Sequence, residues 1–188
     1  MSIKSLVYFV SEMVKNFLYP VQHFSGDISK APSIYECKFI DENGEQIDLS
    51  MYKGKKLLIV NSASECGYTK QYSSLEVLHK EYPNELNIVA FPCNDFGHQE
   101  KGSNQEIQNF CTKNFGVTFK VMPKTNVKLT TPGQLFYWLT RKDQNGWNNS
   151  VPLWNFWKFL LNEDGKLIAV FSSKRDPLGS EMLNAIKQ

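Results

Sequence analysis

A single cysteine at a predicted strand-to-helix junction constrains this chain more than any other feature. Residues 57–60 form an uninterrupted apolar run of the kind that makes a buried strand, and a helical pattern covers residues 73–82. Cys66 lies between the two elements. Its sulfur is therefore expected to face unpaired main-chain N–H groups and the positive end of a helix dipole, which favour the thiolate over the thiol. Because the thiolate is the nucleophilic form, the junction predicts a reactive cysteine.

The apolar patterns on either side extend this junction into a series of strands and helices. The predicted strands are residues 34–40, 46–49, 57–61, 86–91, 158–161 and 167–171. The predicted helices are residues 73–82, 104–114, 135–140 and 178–186. A right-handed crossover makes the two central strands parallel, and turns at Asn43-Gly44 and Asp164-Gly165 favour two antiparallel hairpins. This order predicts an α/β protein with a thioredoxin-like fold, in which helices flank a central mixed sheet and an N-terminal hairpin comes first.

In such a fold, the segment Cys66-Gly-Tyr-Thr69 takes the place of a redox Cys-x-x-Cys pair. Thr69 stands where the second cysteine would be. One thiol cannot close a vicinal disulfide, so the chemistry at this position must differ from dithiol exchange.

Residues 1–30 are interpreted as a separate N-terminal segment, ahead of a domain that spans residues 31–188. Apolar residues recur at helical spacing between positions 3 and 18, which predicts an extra amphipathic helix. Charges interrupt its apolar run, so we expect no membrane span, and no convincing signal peptide or Arg-rich leader is seen. The helix is expected to pack on its own domain, with membrane-surface attachment or a dimer contact as alternatives. The default compartment is the cytoplasm.

The composition argues against several other functions. A length of 188 residues suits one well-buried domain, and a net charge of +2 gives no electrostatic case for nucleic-acid binding. The four cysteines, at positions 37, 66, 93 and 111, show no zinc spacing and form no metal pattern with the three histidines. We therefore expect neither a metal nor a cofactor.

Four segments, in order, resemble the glutathione peroxidase family. They are NSASECGYT at 61–69, FPCNDFGHQEKGSN at 91–104, GVTF at 116–119 and WNFWKFL at 154–160. The likeness covers about residues 33 to 187, and four motifs in the family's order and spacing are far more specific than any one of them.

The resemblance implies a thiol peroxidase built on a tetrad of Cys66, Gln99, Trp154 and Asn155. Cys66 matches the peroxidatic position, where the thiolate attacks hydrogen peroxide or an organic or lipid hydroperoxide. Negative charge then moves to the departing oxygen. The two amides and the indole N–H are suitable donors for that oxygen and for the resting thiolate.

The resemblance also implies how the enzyme is reduced again. Attack on peroxide leaves a sulfenic acid on Cys66. Cys111 matches the resolving cysteine of the thioredoxin-dependent branch of the family, which implies a Cys66–Cys111 disulfide that thioredoxin reopens by exchange. The helix that carries Cys111 is expected to unwind for this step, because a disulfide requires close Cα atoms.

Two absences favour that branch over glutathione as reductant. Tetrameric glutathione-using relatives carry a long insertion before Trp-Asn-Phe, where only residues 130–153 are found here, so a monomer is expected. Arg141 and Arg175 are the only arginines, and they form no obvious cluster for the glutathione carboxylates. A glutathione-dependent peroxidase remains an alternative, as does a peroxide sensor that passes its disulfide to a partner protein.

Two further cysteines are expected to have structural roles, and three other residues depart from the family pattern. Cys93 is expected to be structural, and Cys37 to be a buried packing residue. Asp95, Lys101 and Lys120 each replace a residue usual in the family. Asp95 would disfavour the Cys66 thiolate if its carboxylate pointed inward. Lys101 and Lys120 would affect the helix that carries Cys111, and with it the choice of reductant.

Overall fold

The computed structural model describes residues 21–41 and 43–188. The predicted N-terminal amphipathic helix lies outside the described residues and stays a prediction. Among the helices within those ranges, none combines the length and apolar character needed to cross a membrane.

A six-stranded mixed sheet forms the centre of the described chain, in the order β1-β8-β7-β4-β5-β6. The strands are β1 (Val21–His23), β2 (Phe39–Ile40), β3 (Gln46–Ile47), β4 (Lys56–Ser62), β5 (Leu86–Pro92), β6 (Lys120–Val121), β7 (Lys158–Leu161) and β8 (Leu167–Phe171). Strand β5 runs parallel to β4 and β6, and the other neighbours are antiparallel. Strands β2 and β3 pair separately as the predicted N-terminal hairpin. The predicted mixed sheet is confirmed.

Helices cover both faces of this sheet. They are α1 (Gln71–Glu81), α2 (Asn104–Phe115), α3 (Leu135–Leu139), α4 (Lys142–Asn145) and α5 (Ser180–Lys187). Because successive strand residues point to opposite faces, Leu58 and Val60 pack with α1, α2 and α5. Leu57 and Ile59 pack instead with α3 and the N-terminal hairpin. Strand β4 is buried along its whole length, as its apolar run predicted.

The central pairing brings three chain segments to one edge of the sheet. Val60 of β4 lies opposite Ala90 of β5 and opposite Lys158 of β7. Strands β4 and β5 end at this edge, whereas the antiparallel β7 begins there. The segments that follow β4 and β5 and the segment before β7 therefore meet at the same place, which is the usual location of a site in an open α/β sheet.

The structure differs from the predicted elements at the shortest ones. Strand β1 pairs with β8 although no strand was predicted at Val21–His23, and β6 is an equally unpredicted two-residue strand. The predicted strand at 34–40 is wrong over its first half, where Ile34–Glu36 form a 3₁₀ turn. Helix α4 is a third short element that was not predicted. Such short pieces carry no measurable periodicity. The domain boundary at residue 30 stays a prediction.

Candidate active site

Cys66 lies in a tight turn between β4 and α1. The Thr69 hydroxyl donates to the carbonyl oxygen of Ala63 at 2.9 Å and accepts the N–H of Cys66 at 3.0 Å. The Tyr68 N–H donates to the Cys66 sulfur at 3.4 Å. Thr69, at the position of the missing second cysteine, thus braces the turn. The predicted main-chain donor exists, but it belongs to the turn, because α1 begins only at Gln71.

The Cys66 turn is tied to the segment that carries Gln99. The N–H of Glu65, the residue before Cys66, donates to the carbonyl oxygen of Gln99 at 3.0 Å. A tight turn brings Gln99 there, with Gly97 at φ +65° and His98 at φ +54°. A Cβ built on Gly97 would lie 3.3 Å from the Trp154 ring, so the turn also needs glycine for close approach.

Gln99 and Asn155 form a direct amide pair. The Asn155 Nδ2 group donates to the Gln99 Oε1 atom at 3.2 Å. Asn155 is fully buried and Gln99 is half-buried. The structure therefore brings together two of the four predicted tetrad residues by a side-chain hydrogen bond, and a main-chain bond links their pair to the turn of the third, Cys66.

Trp154 lies beside this pair with part of its indole in solvent. Its side chain is among the exposed apolar groups at 38% exposure, and its ring lies 6.2 Å from that of Phe96. The next residue but one, Phe156, is fully buried with φ at +67°, a conformation that is strained for a residue with a Cβ. The Trp154-Asn155-Phe156 segment is thus held in a sharply turned shape by its surroundings.

Asn61, the first residue of the motif at 61–69, is a positioning residue to which the sequence assigned no role. Its Oδ1 accepts the N–H of Trp157 at 2.9 Å, and its Nδ2 donates to the carbonyl oxygen of Trp154 at 3.1 Å. Its own main-chain oxygen accepts the N–H of Phe156. Asn61 therefore grips the turned segment at three points. The sequence held one signal of this role, because Asn61 is a polar residue at the end of a predicted buried apolar strand.

Lys158 is a second residue to which the sequence assigned no role. Its ammonium is fully buried and donates to the carbonyl oxygens of Phe156 at 2.8 Å, Ser172 at 3.3 Å and Arg175 at 2.8 Å. Desolvation lowers the pKa of Lys158 to about 7, against the opposite effect of nearby Asp176. The lysine ties the segment that carries Asn155 to the loop after β8.

Cys111 belongs to α2, whose start was predicted correctly. The Ser103 side chain and the Glu106 side chain form a capping box. Cys111 is fully buried and packs in the same hydrophobic cluster as Cys66. Burial raises the pKa of the Cys111 thiol. All four cysteines are free thiols.

One expectation about an individual side chain is wrong, and the direction of another side chain was left open. Cys37 is half-exposed and not buried, because the strand predicted around it is a 3₁₀ turn. The sequence did not fix where the Asp95 carboxylate points, and its Oδ2 accepts the N–H groups of Val127 at 2.6 Å and Lys128 at 2.9 Å.

A buried carboxyl lies close to the same loops. Glu100 is 1% exposed, and the Ser64 hydroxyl donates to its Oε2 at 3.2 Å. Burial raises the pKa of Glu100. Together with Glu65 and with Ile107 and Phe110 of α2, this carboxyl lines a cavity of about 200 Å³.

Within residues 21–41 and 43–188 there is no cluster of three or more side chains suited to hold a metal ion. At this edge of the sheet, the turn that carries the Cys66 thiol meets the segments that carry two amides and an indole.

Comparison with known proteins identifies the family. Residues 34–140 match the glutathione peroxidase family. The chain is 44% identical over 145 residues to a glutathione peroxidase-like peroxiredoxin of Schizosaccharomyces pombe, covering 76% of this chain and 90% of that protein.

Solved structures agree. The crystal structure of Trgpx in its apo form is 37% identical, with a TM-score of 0.57 over 84% of this chain and 97% of that one. A thioredoxin family protein from Chlorobium tepidum, 15% identical, has a TM-score of 0.53 over 79% of this chain and 88% of its own, and shows the fold alone. The predicted thioredoxin-like fold is confirmed, and the chain belongs to the glutathione peroxidase family, the class of thiol-dependent peroxidase that its sequence predicted.

Proposed function

We propose that this protein reduces hydrogen peroxide and organic or lipid hydroperoxides by a thiolate attack from Cys66. The hydrogen-bonded pair of Gln99 and Asn155, joined through the main chain to the Cys66 turn, is the observation that carries the proposal. The sulfur forms a bond to one peroxide oxygen and the O–O bond breaks. The departing oxygen leaves with the electron pair and takes up a proton, while Cys66 becomes a sulfenic acid.

Gln99, Asn155 and Trp154 are assigned to the departing oxygen and to the resting sulfur. Their N–H groups can stabilise the charge that develops as the O–O bond breaks, in the manner of an oxyanion hole. We expect Gln99→Ala to slow the oxidation of Cys66 by roughly 10²–10³-fold, by analogy with the loss of one such donor. The rate is measured with one equivalent of peroxide in a stopped-flow instrument.

The second half of the cycle is assigned to Cys111. Its thiol attacks the sulfenic sulfur of Cys66, a disulfide forms and the hydroxyl leaves as water. Cys111 is fully buried on α2, and we expect this helix to open so that the two Cα atoms come within disulfide distance. Thioredoxin then reduces the disulfide by exchange. The peroxiredoxin name of the Schizosaccharomyces pombe relative supports a protein thiol as reductant over glutathione.

The remaining parts of the proposal rest on the sequence. We place the protein in the cytoplasm as a monomer, with contact to a membrane surface through the N-terminal helix as an alternative. Sedimentation with anionic vesicles tests the membrane contact, and analytical ultracentrifugation tests the oligomeric state.

Steady-state peroxide turnover with thioredoxin or with glutathione separates the candidate functions. We expect sustained turnover with thioredoxin, its complete loss in Cys66→Ser, and its retention in Cys37→Ser, which serves as the matched control. Cys111→Ser should abolish turnover with thioredoxin yet leave the first oxidation of Cys66 rapid. Turnover with glutathione alone would support the alternative reductant, and one stoichiometric oxidation with neither would identify a sensor.

A further inference from the structure

A continuous line of side-chain hydrogen bonds runs from the main chain into the amide pair of the site. It begins at the N–H of Trp157, which donates to the Oδ1 atom of Asn61 at 2.9 Å. Since a main-chain nitrogen can only donate, this bond fixes the orientation of the Asn61 amide. The Nδ2 group of Asn61 must then face the other way, toward the carbonyl oxygen of Trp154 and the sulfur of Cys93.

Cys93 is the next member of this line. Its sulfur accepts from the Nδ2 group of Asn61 at 3.7 Å, and its thiol donates to the Oδ1 atom of Asn155 at 3.3 Å. Cys93 is fully buried. Burial raises the pKa of this thiol to about 12, so the thiol keeps its proton at neutral pH and can serve as a donor.

The orientation passes from Cys93 through Asn155 to Gln99. With its oxygen occupied by the thiol, Asn155 presents its Nδ2 group to the Oε1 atom of Gln99 at 3.2 Å. The oxygen of Gln99 is then occupied, and its NH₂ group is the end left to donate. Rotating either amide by 180° would exchange donor and acceptor at little steric cost, so the orientation has to be set by hydrogen bonds.

We propose that Cys93 is a positioning residue, whose thiol acts as a hydrogen-bond donor that orients the Asn155 and Gln99 amides with the Gln99 NH₂ group toward the reacting sulfur. The inference rests on the proposed function, because it assigns Gln99 to the peroxide reaction. With the opposite orientation, Gln99 would present a carbonyl oxygen to a thiolate and to a departing oxygen, and both are repelled by it. Cys93 thus contributes without changing its own oxidation state.

The test compares two substitutions of Cys93 that differ in whether a donor remains. Cys93→Ala removes the donor, and we expect the second-order rate constant for Cys66 oxidation by hydrogen peroxide to fall about 5- to 20-fold. Cys93→Ser keeps a donor and should restore the rate to within about threefold of the wild type. Cys37→Ala, a cysteine substitution elsewhere in the chain, should have no effect. Should Cys93→Ala fail to fold, Cys93→Val and Cys93→Thr form a second pair of similar shape that differs in the hydroxyl.

A double-mutant cycle separates orientation of the amides from general destabilisation. If Cys93 acts through Gln99, Cys93→Ala should cost little further rate in a Gln99→Ala background. The side-chain amide NMR signals of Asn155 and Gln99 should also shift in Cys93→Ala and return in Cys93→Ser.

Three results would overturn the proposal. They are a wild-type rate in Cys93→Ala, equal losses in the alanine and serine variants, and an undiminished loss in the Gln99→Ala background. Failure of the proposed function is distinguishable, because it would appear as an unreactive Cys66 in the wild type, while the amide signals would still report the orientation.

Discussion

At the residue scale, the buried ammonium of Lys158 is the least expected group in this protein. An unpaired charge is costly to bury, and here three main-chain carbonyl oxygens replace the lost water. Its pKa is lowered to about 7 in the folded chain, whereas a lysine in an unfolded chain has a pKa of about 10.4. Between these two values the unfolded state binds more protons than the folded state, so the contribution of Lys158 to stability rises with pH.

We therefore predict that Lys158→Met removes one component of the pH dependence of stability. The free energy of unfolding of the wild type, minus that of Lys158→Met, should increase between about pH 7 and pH 10 by up to several kcal/mol. Below about pH 7 the difference should be flat. Urea unfolding at pH 6, 7.5 and 9 measures it, with Lys38→Met, an exposed lysine, as the control. A difference that does not change with pH would show that Lys158 titrates normally.

The turn at Gly165 gives a second prediction at the residue scale. This glycine has a positive φ and in addition lies against the ring of a neighbouring residue. A Cβ at Gly165 would lie 2.6 Å from the Tyr35 ring, and its φ is +76°. Gly44 has a similar φ of +82° and nothing within 4 Å, so it is a matched control. We predict that Gly44→Ala costs about 1 kcal/mol from backbone strain, and that Gly165→Ala costs roughly 2 kcal/mol more from the clash. Equal losses in thermal or urea unfolding would contradict this account.

These residues also show what the sequence could predict. The Asp-Gly and Asn-Gly turns were recognisable because their backbone requirement is local. The contacts of Asn61, Cys93 and Lys158 were not, because they depend on side chains that meet across strands. Gln99 and Asn155 were found through resemblance to a family, and composition alone would have left them as two polar residues among many.

At the element scale, α2 is central because it carries Cys111. Its capping box, formed by Ser103 and Glu106, satisfies N–H groups at the start of the helix. A cavity of about 200 Å³ lies beside its first half, where Ile107 is nonetheless buried in the core. Strands β1 and β6 were missed because two or three residues show no period.

If α2 must open before the disulfide forms, weakening its first turn should accelerate that step. Ser103→Ala removes a cap worth about 1 kcal/mol, so we predict that the Cys66–Cys111 disulfide forms up to about fivefold faster. Ser103→Thr keeps the cap and should behave like the wild type. Rapid-quench mass spectrometry after one equivalent of peroxide gives the rate. An unchanged or slower rate in Ser103→Ala would mean that helix opening does not limit resolution.

At the scale of the whole molecule, the sheet topology assembles the site. Cys66 follows β4, Gln99 follows β5 and Asn155 precedes β7, and the pairing of these three strands places all three segments at one edge. The parallel pairing of β4 and β5 was predictable from the right-handed crossover between them. The antiparallel pairing of β7 with β8 was predictable from their hairpin turn. The register of β7 against β4 was not predictable, since it depends on how buried side chains from both faces pack.

The proposed mechanism requires that peroxide oxidises the Cys66 sulfur and that Cys111 then forms a disulfide with it. The most direct test is peptide mapping of the reduced protein after one equivalent of hydrogen peroxide. We predict a single new cross-linked peptide pair, joining Cys66 to Cys111, and a Cys66 sulfenic acid that persists in Cys111→Ser. A Cys66 that stays a free thiol, or one that is joined instead to Cys93 or Cys37, would contradict the account.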